Sequence, residues 1–124
     1  MVAYNFMARF APSVEDGTKR QTIRACGKRR PPRRGEQLQL YTGMRTRNCR
    51  LLRTAPCTAV YPIAMDLAAR RVRVQTGDII STLSRLDVRR LAVADGFANE
   101  ADFFEYFTAT HGQTFAGHLI KWEV

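Results

Sequence analysis

Acidic side chains are nearly missing from one long stretch of this chain. Between Lys19 and Arg53 the only carboxylate is Glu36. A segment so short of negative charge cannot neutralise its own cations, and its run at residues 27–34 reads as a solvated, mobile loop, as a nuclear-import-like address or, by its density, as a contact for a polyanion. Also missing is any apolar run near the ~20 residues of a membrane-spanning helix. The opening "MVAYNFMARF" has neither an apolar h-region nor a small-residue cleavage site, so no secretory signal is read and a soluble, cytoplasmic protein is expected. Cys26, Cys49 and Cys57 form an odd set without C-x-x-C spacing, which argues against a disulfide framework. With only His111 and His118 besides, no metal site and no cofactor is expected.

Positive charge is what the sequence has in excess. The 124 residues carry 20 Lys and Arg against 11 Asp and Glu, a formal charge of +9. Twelve of the 20 lie between Lys19 and Arg53, whereas from Leu91 onward five acids face only Lys121. This polarity is the electrostatic footprint of a polyanion binder. An apolar share of 45% is enough for one folded domain over residues 1–124.

The pattern along the chain alternates before it turns helical. "VAYNF" reads as a strand, and "ARFAPSVEDG" as a short helix with Pro12 in its first turn and Gly17 as its stop. In "RQTIRA" strand parity puts Gln21 and Ile23 on one face, and Thr22 and Arg24 on the other. "CGKRRPPRRG", residues 26–35, reads as an exposed basic loop, because Pro31 and Pro32 bar strand pairing. "EQLQLYT" is a strand with Leu38 and Leu40 inward, and "GMRTRN" a turn. "CRLLRTAPCTAVYPIAM" supplies one long or two short strands, Pro56 and Pro62 marking a bulge or edge. Cys49 and Cys57 are expected there as small core residues. "RRVRVQ" is a further strand closed by "TGD". Beyond Ile80 two helices follow. The first is expected to bury Leu86, Leu91, Val93 and Ala94; the second has Asn99 as N-cap, Gly112 as C-cap and Phe103, Phe104 and Phe107 in the core. "FAGHLIKWEV" ends the chain as a strand. The expected class is α+β, a small twisted β-barrel flanked by two to three helices.

Four motifs in order carry a resemblance. They are "F…F…V-x-x-G-x-K-x-x-T-I-R" through Arg24, "G-E-x-L-x-L-Y-T-G-M-R-T" from Gly35, "A-D-G-F" from Ala94, and "F-x-G-H-L-I-x-W" ending at Trp122. Together, over Tyr4 to Trp122, they resemble the ASCH domain of the PUA-like superfold. The resemblance implies a small PUA-like barrel with a cleft floored by the signature strand, and a partner that is RNA or a modified nucleoside. Some ASCH members remove the acetyl group of N4-acetylcytidine with a lysine, a threonine and a glutamate. Lys19 and Thr22 match the first two, and Asp95, one methylene shorter, stands at the third. Ribonuclease activity has been attributed to other relatives.

The residues themselves leave both plain and functional readings open. A lysine whose charge is disfavoured by burial can take a threonine's proton, and a carboxylate can orient it, so Lys19, Thr22 and Asp95 form a candidate catalytic set. In the ordinary alternative, Lys19 is a solvated turn charge, Thr22 a strand former and Asp95 a helix cap. Arg24, Lys28, Arg29, Arg30, Arg33, Arg34, Arg45 and Arg47 are the candidate nucleic-acid contacts, which would position a phosphate backbone without reading sequence. Tyr41 and Trp122 are base-stacking or core residues, His118 is a strand residue, and His111 precedes a helix stop. Three functions follow: an RNA or modified-nucleoside binder, an amidohydrolase of N4-acylated cytidine or a ribonuclease, and a purely electrostatic nucleic-acid adaptor. A monomer is expected, with no membrane and no metal partner.

Overall fold

The computed structural model describes residues 2–124 and is an α+β fold of seven strands and three helices. In chain order these are β1 (Val2–Phe6), α1 (Ala11–Asp16), β2 (Gln21–Ala25), β3 (Gln37–Thr42), β4 (Arg50–Asp66), β5 (Arg71–Thr76), β6 (Ile79–Thr82), α2 (Arg85–Ala94), α3 (Glu100–His111) and β7 (Thr114–Trp122). The sheet runs β1-β3-β4-β5-β6, with β7 paired to both β4 and β2. Among the described residues only β1 and β3 pair in parallel.

The organising element is β4. Its first half pairs with β3, and its second half with β7 and β5. It is one continuous strand of 17 residues, with a bulge between Cys57 and Ala59, immediately after Pro56. Such a bulge increases local twist, which lets one strand serve two parts of a curled sheet. The curl does not become a closed barrel. No ladder joins β1 to β2 among the described residues; the Arg24 guanidinium spans that gap instead, with Nη2 donating to the Asn5 carbonyl at 2.7 Å.

Inward alternation in β3 buries Leu38 and Leu40 completely, and Val72, Ile120 and Phe103 meet them in the same core. Each such side chain stabilises the fold by about 1.5–3 kcal/mol. Helix α1 starts at Ala11 with a proline in its first turn and stops at Gly17, whose φ is +87°. Ser84 and Asn99 cap α2 and α3, each accepting the N–H of the residue three further on. Glycine is required at Gly117, where a Cβ would lie 2.1 Å from the Arg24 carbonyl oxygen and push β2 off β7.

Several expectations need correction. Cys57 is buried, but Cys49 lies exposed in the turn before β4. On α2 the buried residues are Val88, Leu91 and Ala92, while Leu86, Val93 and Ala94 face out. The helix thus presents a narrower stripe than its aliphatic content implies. Strand β6 also went unread. Its four residues are all exposed, so no inward-outward alternation marks it.

Candidate functional site: a buried ion pair joined to a basic groove

Three neighbouring elements bring Lys19, Thr22 and Asp95 to one cavity. Lys19 sits in the turn between α1 and β2, where its backbone N–H donates to the Ser13 carbonyl at 2.9 Å. That turn releases Lys19 from strand parity, so it shares a side with Thr22 although the two are three residues apart. Asp95 is the C-cap of α2, its backbone N–H bonded to the Leu91 carbonyl. The chain then turns sharply at Gly96, with φ +99°, where a Cβ would come within 2.8 Å of the Phe10 ring. This close approach seats α2 against the turn that carries Lys19.

The polar groups are largely withdrawn from water. Lys19 is 3% exposed and Asp95 5%. Lys19 Nζ donates to the Asp95 carbonyl oxygen and lies 3.3 Å from Asp95 Oδ1. Gln21 Nε2, which the sequence did not single out, donates to the same Oδ1 at 3.5 Å. The ammonium also sits 5.0 Å from the centre of the Phe10 ring, over its face. Burial raises the Asp95 carboxyl to about 6, with Lys19 and Gln21 pulling the other way. Burial likewise lowers the Lys19 ammonium, against the pull of Asp95. Both members of the pair would shed their charge more readily than they do in water.

Thr22 is held from the other side. Its Oγ1 accepts from Arg24 Nε at 3.1 Å, which leaves its hydroxyl proton free to donate into the cavity. Arg24 lies over two rings, its guanidinium carbon 4.9 Å from the ring centres of both Tyr4 and Phe6. The cavity has a volume of about 290 Å³, and its apolar walls include Phe10, Phe97, Tyr106 and Phe107. His111, at the end of α3, also lines it.

Outside this chamber lies a second hollow of about 940 Å³, lined by Tyr4, Lys28, Arg29, Arg30, Arg45 and His118 among others. Asn5, Arg24 and Ala25 line both. Of the candidate contacts, Arg24, Lys28, Arg29, Arg30 and Arg45 therefore converge on one groove. Arg33, Arg34 and Arg47 are exposed and line neither hollow.

The loop 26–35 is exposed apart from its prolines, yet it is tied down. Arg30 makes a two-pronged bond to Glu36 at 2.9 Å, Arg29 donates to the Ala3 carbonyl at 3.2 Å, and the Gly35 N–H donates to the Cys57 carbonyl. Trp122 is a core residue packed edge-on to Phe6, and Tyr41 is half-buried on β3 and lines neither hollow.

Tyr4, Gln21 and Tyr106 are among the site residues that sequence reasoning passed over, and His111 was read only as the residue before a helix stop. An aromatic at helical or strand spacing gives no sign of whether it fills a core or walls a cavity. Among the described residues no group of three or more His, Cys, Asp or Glu is arranged to hold a metal ion, and no helix is long and apolar enough to cross a membrane. No family model matches the chain, and no curated protein and no solved structure matches it either.

Proposed function

We propose that this chain is a PUA-like domain of the ASCH type that binds RNA or a modified nucleoside. The base enters the inner chamber, and the phosphate backbone lies in the basic groove. The observation that carries this reading is that the two hollows share Arg24. A chamber with aromatic walls that shares Asn5, Arg24 and Ala25 with a cationic groove matches the two halves of a nucleotide. Aromatic walls stack a base, and Arg and Lys neutralise phosphate. The Thr22 hydroxyl and the unused N–H groups of Arg24 then offer donors to a base carbonyl. The test is equilibrium binding of a single-stranded RNA oligonucleotide and of free N4-acetylcytidine to the wild type and to Thr22→Val. Loss of nucleoside binding in Thr22→Val with most RNA affinity retained supports the division of labour. Equal binding of both ligands by wild type and variant ends it.

A second reading rests on the buried pair itself. A carboxyl raised to about 6 is matched to proton transfer near neutral pH, and Thr22 lies in the same chamber. An amidohydrolase would use Thr22 Oγ1 to attack the N4-acyl carbonyl; Lys19, uncharged, takes the hydroxyl proton and passes it to the N4 amine as the C–N bond breaks, water then frees the acyl group from Thr22, and Asp95 orients the lysine. Release of cytidine from N4-acetylcytidine, abolished in Thr22→Ala and Lys19→Ala, would establish it. No release at high enzyme concentration removes it.

A further inference from the structure

The edge of the sheet farthest along from β1 is uncovered. Strand β6 pairs with β5 only, in the register Arg73↔Thr82 to Thr76↔Ile79, and its other edge has no strand partner among the described residues. All four of its residues are exposed, with Ile79 at 68% and Ile80 at 65%. Neighbouring residues of a strand point to opposite faces, so this strand offers an isoleucine on each face as well as a free row of backbone groups. Such an edge is ordinarily blunted by an edge lysine, a proline or a bulge. β6 carries no lysine, proline or bulge, and its shortness, four residues, is the one such device it has.

The surroundings indicate what would cover it. Arg73 is paired to the last residue of β6, and Arg85 follows three residues beyond that strand; both are exposed. Arg89, one turn along α2, is exposed as well, as is Leu86 on the same helix. Neither Arg73, Arg85 nor Arg89 makes a side-chain ion pair among the described residues. A second copy of the chain would bring its own +9 charge and the same arginines to this edge, which disfavours self-pairing. Nucleic acid would meet the arginines but would leave the isoleucines and the backbone row unpaired.

We propose that the β6 edge is a docking site for an extended, acidic segment of a partner protein, added to the sheet as a further strand. Main-chain hydrogen bonds supply the affinity, aliphatic side chains on one face of the added strand rest on Ile79, and carboxylates on its other face, the Ile80 side, reach Arg73 and the neighbouring Arg85 and Arg89. This surface is separate from the two hollows and does not depend on what they bind.

The test uses the full chain and two synthetic probes, capped peptides of alternating valine and glutamate or alternating valine and lysine. The glutamate probe should bind with a dissociation constant of about 10–100 μM, and the lysine probe at least tenfold more weakly. Ile79→Ser/Ile80→Ser should weaken the glutamate probe at least tenfold, and Arg85→Gln/Arg89→Gln several-fold. Both pairs lie at exposed positions, and an unchanged unfolding temperature confirms that neither acts through the fold. The proposal is overturned if the wild type ignores the glutamate probe at millimolar concentration, or if both probes bind alike. It is overturned equally if the isoleucine variant abolishes a dimer seen by sedimentation without altering peptide binding, or if the arginine variant weakens an RNA oligonucleotide and leaves the peptide untouched.

Discussion

The molecule holds its positive charge in two opposite ways. In the outer groove Lys28, Arg29 and Arg45 are solvent-exposed, so their charge is inexpensive to keep and is screened by salt. In the inner chamber Lys19 is all but sealed from water and depends on Asp95 for compensation. The groove attracts from a distance at little cost to stability. The chamber spends stability to hold polar groups in one arrangement, as pre-organised sites generally do. The two regions should therefore answer differently to mutation, pH and salt.

Breaking the buried pair should have the largest effect. Asp95→Ala leaves an uncompensated ammonium, a loss of about 3–5 kcal/mol, which in a domain of this size lowers the melting temperature by more than ~10 °C. Removing both charges together, in Lys19→Met/Asp95→Leu, should restore most of that stability, because the desolvation cost goes with the charges. Calorimetry of the single and double variants checks this. A double variant as unstable as the single one would mean that the two charges hold the fold together directly.

A pH titration sharpens the same contrast. Asp95 titrates near 6 when folded against about 3.9 in an unfolded chain, so between those values the native state binds the extra proton. Stability contributed by this group is therefore greatest below about pH 4 and declines as pH rises to about 6, opposite to an exposed, salt-bridged carboxylate. Asp16, by contrast, is held below the ordinary carboxylate range by two hydrogen bonds from Thr18. A side-chain carbon-13 titration should show the Asp95 midpoint near 6, and Lys19→Met should raise it further by removing the opposing charge.

The residues that meet in the chamber were legible for definite reasons. Gly17 marked the end of α1, which put Lys19 in a turn able to reach Thr22's side, and the alternation of "QTIRA" placed Thr22 and Arg24 together. Asp95 was open to two readings, helix cap or cavity carboxylate, and it is both, because a C-cap lies where the helix end meets its neighbours. What sequence could not supply was closure. Whether β1 pairs with β2 depends on non-local register, and here one arginine side chain spans the gap. β6 escaped because periodicity signals burial, and a strand exposed on both faces carries none. The buried stripe of α2 was misjudged because three aliphatic residues, Leu86, Val93 and Ala94, stand on its wet side.

Salt should separate the two regions in binding. If Arg24, Lys28, Arg29, Arg30 and Arg45 each meet one phosphate, log affinity for a single-stranded RNA falls with log salt at a slope near −3.5, roughly 100-fold from 50 to 200 mM. Lys28→Gln/Arg29→Gln should flatten that slope by about 1.4, whereas Thr22→Val should leave the slope unchanged and most of the RNA affinity in place.

The smallest effects belong to the cations that the groove does not use freely. Arg30 already faces Glu36 through two bonds of 2.9 Å, so its charge is partly answered before any ligand arrives. Arg30→Gln should therefore flatten the slope by less than Lys28→Gln does. Arg33→Gln, Arg34→Gln and Arg47→Gln, outside both hollows, should change it by less still. A slope that fell equally for all of these variants would mean that the loop acts as a diffuse positive cloud, and that the groove's shape contributes nothing to binding.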